Sequence, residues 1–364
     1  MTNRKRLRRR NWRPEQGIRL HVPGPSAGTA GSGITGTGTV RWRVRVGSVY
    51  SAPCVAEATV HVAGNGLWAI DATDGTVRWT RPDAGFMSAP PVVDDTVYAG
   101  QDRFFALDAA DGHTRWRRRM DRWSHTPPAV GGGLVHFVNG SRYLRTLDAA
   151  TGRRRWRRKY RRIGWNRSAP VLADGALYAV DERGTVRAFD PATGRIRWQQ
   201  STFAIESRTP LVHDGSLYLA DGLGHDVFAP DAATGEHRWQ AWPDVQSVSS
   251  IATTPAIHGN TLYVGSQDHR LYALDATTGK TRWHVVTGGC VDSCPAVADE
   301  TVYFGSDDGH LWAVRAENGR VRWKVQTGGR VESPVVADGA VYAGTRDGYL
   351  YAIDAVPAPG AVSS

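Results

Sequence analysis

Few residues of this 364-residue chain combine the types and spacing that chemistry needs. Cys290 and Cys294 stand in a C-x3-C arrangement, but no second Cys pair or His pair lies near to complete a tetrahedral site, so no metal is expected. Ser306, Asp307 and His310 bring together the residue types of nucleophilic hydrolysis. Twelve His are spread over polar loops where such combinations arise by chance, and no catalytic residue is assigned. The pattern that stands out is cationic. Arg117, Arg118, Arg119, Arg122 and His125 surround Trp123, while Arg157, Arg158, Lys159, Arg161, Arg162 and Arg167 surround Tyr160 and Trp165. Guanidinium clusters interleaved with aromatic rings suit phosphate-rich or acidic partners, through paired charge and stacking.

The charge is unevenly placed. Residues 115–167 hold 16 Lys and Arg against Asp121 and Asp148, a balance of +14, and residues 1–40 add +7. With a net charge of +10, the rest of the chain carries −11. Codon bias can account for 41 Arg beside only 4 Lys, but a uniform bias does not cluster them. One reading is a positive surface for an acidic protein or another polyanion, nucleic acid included. The other is that Arg decorates outer edge strands, discouraging edge pairing and aiding solubility.

The elements that position these residues come from a repeat. An aspartate is followed about eight residues later by Arg-Trp, usually across Thr-Gly: Asp71 to Trp79, Asp108 to Trp116, Asp148 to Trp156, Asp190 to Trp198, Asp231 to Trp239 and Asp275 to Trp283, with Arg315 to Trp323 as a variant. Between copies lies a hairpin phrase such as 253–265, alternating residues around a Gly-Asn turn. A third strand (271–275) and a fourth centred on Arg-Trp complete four antiparallel strands, which is one propeller blade. Counting third strands gives eight, the last ending at Asp354 with no Arg-Trp strand after it. The strand around Trp42 has no blade before it, so it is expected to close the last one and leave no open edge. The aspartates cap the turn amides, Gly supplies positive φ, and Trp packs between blades; these Asp and Trp residues are read as structural.

The segment Ala-Leu-Asp-Ala-Thr-Thr-Gly-Lys-Thr-Arg-Trp, 273–283, resembles the tryptophan-docking motif of eight-bladed pyrroloquinoline-quinone-type propellers. That superfamily includes quinoprotein alcohol dehydrogenases and the non-enzymatic β-propeller lipoprotein of the outer-membrane β-barrel assembly machinery. The resemblance spans 39–355 and implies an all-β, eight-bladed propeller. A quinoprotein dehydrogenase would further imply long insertions over the cofactor, an adjacent cysteine pair, a calcium site of Glu, Asn and Asp, and a catalytic Asp. The blades here are of near-minimal length, there is no Cys-Cys pair, and no calcium ligands can be assigned. Pyrroloquinoline quinone with Ca2+ is therefore the alternative rather than the expectation.

The domain plan is a basic Gly/Ser/Thr-rich tail at 1–38, the propeller at 39–355 and a short tail at 356–364. The basic start, Arg4 to Arg10, is not followed by the apolar stretch of a secretion signal, and no run of 18 apolar residues occurs. Three cysteines, Cys54, Cys290 and Cys294, imply no disulfide framework. A cytoplasmic monomer is expected, acting as a non-catalytic scaffold. Its basic sector is read onto blades two to four, with 117–125 and 157–167 as blade-to-blade links on the face around the channel. The alternatives are a quinoprotein-type oxidoreductase and a nucleic-acid-binding propeller.

Overall fold

Thr, Val and Tyr alternate in the second strands of the repeat, and in Thr301–Gly305 all five residues are buried. A strand buried on both sides must lie inside a stack of sheets. The computed structural model describes residues 38–83, 88–100, 103–120, 126–139, 143–159, 168–202, 208–223, 226–242, 250–251 and 253–355. These residues form 32 strands in eight four-stranded antiparallel sheets and contain no helix. The architecture is the all-β, eight-bladed propeller expected from the repeat.

Blades one to seven occupy 54–81, 92–119, 129–159, 171–201, 211–241, 256–286 and 296–326, each with its strands in chain order. First strands are two or three residues long and touch their counterparts, as Cys54–Ala56 touches both Val92–Val93 and Val335–Ala337. They therefore line the axis, and fourth strands form the rim. Blade eight comprises 335–354 with Val40–Arg45 as its outermost strand, paired antiparallel to Tyr349–Asp354.

The core is distributed over the seams between blades. One cluster joins Tyr303, Leu311 and Trp323 of blade seven to Val341, Tyr351 and Ile353 of blade eight. Another joins Trp42 and Tyr342 of blade eight to Val60 and Ile70 of blade one. Outer strands bury little besides Trp: in Val40–Arg45 only Trp42 is buried.

Each seam is built on the turn between third and fourth strands. In blade one the Asp71 carboxylate accepts the Thr73 amide at 2.8 Å, and the Gly75 amide donates to the Asp71 carbonyl at 3.0 Å. Gly75 has φ +77, and a Cβ there would lie 2.9 Å from the Trp42 ring of blade eight. The bare glycine face is what lets the indole lie flat on the turn. Gly279 has φ +72 and leaves even less room, with a Cβ falling 2.3 Å from Ala241 and 2.7 Å from Trp239. Gly279→Ala is expected to cost about 2–4 kcal/mol through left-handed backbone strain plus overpacking, read from the urea midpoint.

Candidate functional site

In seven of the eight blades the Arg of the Arg-Trp pair has a local duty that the spacing alone did not disclose. Arg78 pairs with Asp71 at 2.6 Å, Arg115 with Asp108 at 2.8 Å, Arg155 with Asp148 at 2.6 Å, Arg238 with Asp231 at 2.6 Å and Arg282 with Asp275 at 2.6 Å. Arg197 lies 3.7 Å from Asp190, and Arg41 reaches Asp354 across the closure of blade eight. The Arg78 guanidinium and the Thr73 amide hold the Asp71 carboxyl down at about 2. Asp231 is likewise lowered to about 2, by the Thr234 amide and Arg238. These carboxylates are turn caps bound to a cation, and none is poised for acid or base work.

Indole nitrogens fasten blade to blade. Trp42, Trp79, Trp116, Trp198 and Trp239 donate to the carbonyls of Ala72, Ala109, Ala149, Ala232 and Ala276, and Trp156 donates to Pro191, all between 2.7 and 3.1 Å. Trp283 and Trp323 pack in their seams without a partner for the indole nitrogen.

The basic residues lie elsewhere than expected. Arg117, Arg118 and Arg119 belong to the outer strand Thr114–Arg119, and Arg157, Arg158 and Lys159 to the outer strand Arg154–Lys159. They are on the rim rather than in the links around the channel, because backbone pairing continues past each Trp. Arg117 stands opposite Phe105 and Arg119 opposite Arg103; Arg157 stands opposite Arg145 and Lys159 opposite Tyr143. Arg122, Trp123 and His125, and Tyr160, Arg161, Arg162, Trp165 and Arg167, lie outside the described residues.

Strand alternation divides the six by role. Arg158 shares the Trp156 side and bolts blade three to blade four, donating to the Gly194 carbonyl at 2.7 Å and the Thr193 carbonyl at 2.8 Å. Arg157 points to the opposite side, its guanidinium 4.9 Å over the Tyr143 ring, which Arg145 also approaches at 5.8 Å. Arg117, Arg118, Arg119 and Lys159 are exposed. Among the described residues no carboxylate forms an ion pair with them.

The residues that could do covalent chemistry are placed for structure. Cys54 is fully buried, and burial pushes its thiol up to about 11; Cys290 is also raised, by burial and by Asp292 and Asp307. Neither favours the thiolate that reactivity requires. Cys294 accepts the Thr254 amide at 3.3 Å. His310 faces Asp308 rather than Asp307, Ser306 donates to the Gly289 carbonyl, and Asp307 pairs with Arg330, so no triad forms.

The fold defines an eight-bladed propeller of the quinoprotein-like class. The chain belongs to the family described as outer membrane protein assembly factor BamB, whose model matches residues 33–102, 81–208, 140–289 and 223–357 in overlapping segments. BamB from Moraxella catarrhalis superposes with a TM-score of 0.74 at 18% identity, covering 87% of this chain and 100% of that one. Quinohemoprotein alcohol dehydrogenase ADHIIG from Pseudomonas putida HK5 gives a TM-score of 0.73 at 15% identity over 89% of this chain and 77% of that one. The computationally designed Ika8 protein gives 0.72 at 15% identity, covering 88% and 100%. At such identities the likeness is one of fold, which does not set activity. In sequence, quinohemoprotein alcohol dehydrogenase ADH IIB of Pseudomonas putida is 34% identical over 82 residues, 21% of this chain and 12% of that enzyme.

A calcium-bound quinone would need free oxygen ligands on the face of the links and the second-to-third-strand turns. On that face Asp292 and Asp307 pair with Arg330, and Glu332 with Arg330 and Arg346. Among the described residues no group of three or more His, Cys, Asp or Glu side chains is arranged to hold a metal. No helix of the described residues is long and apolar enough to cross a membrane.

Proposed function

We propose that the chain is a non-catalytic binding scaffold that takes an acidic protein surface onto the outer strands of blades two and three. The observation carrying this reading is the run of Arg117, Arg118, Arg119 and Lys159, with which no carboxylate forms an ion pair among the described residues, and the placing of Arg119 directly opposite Arg103. Like charges across a strand pair destabilise a sheet. The isolated chain gains nothing from Arg119 facing Arg103, whereas an acidic partner relieves that pair.

Edge protection does not account for the clustering. After the shared Arg-Trp, the outer strand of blade four continues Gln-Gln-Ser and that of blade five Gln-Ala. Those edges manage without added cations. Membership of a family named for an assembly factor agrees with a role in holding other proteins.

The reading is tested by replacing Arg117, Arg118, Arg119, Arg157 and Lys159 with Ser. Capture on immobilised polyglutamate at about 50 mM salt should fall at least tenfold, and wild-type capture should fade by about 300 mM, as screened charge requires. The urea midpoint should hardly move, since exposed substitutions of this kind stay within about 0.5 kcal/mol. Equal capture by variant and wild type would sink the proposal. Capture of duplex DNA in preference to polyglutamate would instead indicate a nucleic-acid partner.

A further inference from the structure

Two positions past the outer-strand Trp, three successive blades carry arginine: Arg81, Arg118 and Arg158. Two of the three are tied to the next blade. Arg81 of blade one donates to the Gly112 carbonyl of blade two at 2.7 Å and to the Thr114 hydroxyl at 3.1 Å. Its guanidinium also lies 5.6 Å over the Phe105 ring of blade two and pairs with Asp83 at 2.9 Å. Arg158 donates to the Thr193 and Gly194 carbonyls of blade four. Arg118 is exposed and makes no hydrogen bond or ion pair among the described residues.

The residues that hold Arg81 have no equivalents around Arg118. Where Asp83 stands four positions after Trp79, the buried Met120 stands four after Trp116. Blade three has Arg154 opposite Leu147, where blade two has Thr114 opposite Leu107. It has Arg145 opposite Arg157, where blade two has Phe105 opposite Arg117. Arg118 thus lacks the carboxylate, hydroxyl and ring that hold Arg81, and two cations stand in their places.

Arg157 adds a further charge to the same seam. The Trp156 indole is bonded to blade four, and Arg157 projects from the other side of the strand, toward blade two, with its guanidinium 4.9 Å over the Tyr143 ring. Arg154 and Arg157 are exposed. Among the described residues no carboxylate forms an ion pair with Arg118, Arg154 or Arg157.

Guanidiniums gathered without a counter-charge repel one another, and an anion that bridges them reverses the sign of the interaction. A carboxylate or a phosphodiester brings a single charge. A phosphomonoester carries about −1.5 to −2 at neutral pH on three strong acceptor oxygens, and it accepts paired N–H bonds from a planar guanidinium.

We propose that the seam between blades two and three binds a phosphomonoester, presented as phosphoserine on the acidic partner. The inference rests on the acidic-partner reading above and names the group that anchors that partner. Arg118 reaches the phosphoryl oxygens from blade two, and Arg154 and Arg157 reach them from blade three. The Tyr143 ring steadies the Arg157 guanidinium through a cation–π contact. Carboxylates flanking the phosphoserine meet Arg117, Arg119 and Lys159.

The probes are two short peptides, one with glutamates flanking a phosphoserine and one with glutamate in its place, titrated calorimetrically into the full chain. Wild type should bind the phosphopeptide at least tenfold more tightly, as a few added charge-assisted hydrogen bonds require. Arg154→Thr, which gives Arg118 the hydroxyl partner that Arg81 has, should abolish this preference and leave capture on polyglutamate as in wild type. Arg154→Lys keeps the charge without the fork and should lose most of the preference. Equal binding of the two peptides by wild type, or a preference unchanged in Arg154→Thr, would overturn the inference while leaving the acidic-partner surface standing. A single-stranded oligonucleotide that competes as well as the phosphopeptide would also overturn it, assigning these cations to a diester backbone. Failed polyglutamate capture by wild type with the peptide preference intact would count against the broader surface alone.

Discussion

Acidification from neutral pH to about 4 should remove roughly 3 kcal/mol of stability through His61 and a similar amount through His136, at about 1.4 kcal/mol for each unit of pKa difference. Burial brings His61 from 6.5 down to about 4, with the Ala109 carbonyl working against the fall and Arg78 adding to it. Burial alone brings His136 to about 3. In the unfolded chain both titrate near 6.5, so between that value and the folded ones the unfolded state holds more protons. Stability is therefore fully present above about 6.5 and is lost as pH falls, until the folded pKa values are reached.

The carboxylates act in a lower window. Asp71 and Asp231, held near 2, contribute stability that is lost only as pH falls from about 4 toward their folded values. Urea midpoints at about pH 7, 5.5 and 4.5 isolate the histidine term. His136→Tyr and His61→Tyr should each flatten roughly half of the slope, and a slope unchanged in both would refute the assignment. The two histidine seams bound blades two and three on either side, so amide exchange in 92–159 should rise first on acidification.

Trp42→Ala should cost about 3–5 kcal/mol, the range for truncating a buried large aromatic. Trp42 is 9% exposed, donates to the Ala72 carbonyl at 3.1 Å, and its ring sits 5.9 Å from that of Tyr342. It joins the N-terminal strand to blade one, while Arg41 joins the same strand to Asp354 and the Gly339 carbonyl. Losing the indole should loosen Val40–Arg45 from Tyr349–Asp354 and uncover an unpaired edge. Limited proteolysis near residues 39–50 and the urea midpoint report this together. A cost no greater than that of the exposed Arg43→Ala would show that Trp42 does not hold the ring shut.

Much of the molecule is local and therefore legible in the chain. The Asp71 cap and the positive φ of Gly75 lie within five residues of each other, so the turn, and with it the blade, can be read from one copy and counted from eight. The rim placement of Arg117–Arg119 is not legible in the sequence, because strand and link have the same composition there. Only the pairing of Arg119 with Arg103 shows where the strand ends. Arg158 looks like its neighbours in sequence, yet its partners Thr193 and Gly194 lie one blade away.

By itself, then, the sequence determined the blade and its number, because turns and strand alternation are set by residues a few positions apart. Only the tertiary structure decided which arginines are held by turn carboxylates, and that His136 meets Thr146 while His61 lies opposite Ala69. Those outcomes depend on groups brought together across paired strands, where neither spacing nor composition constrains what a side chain will meet.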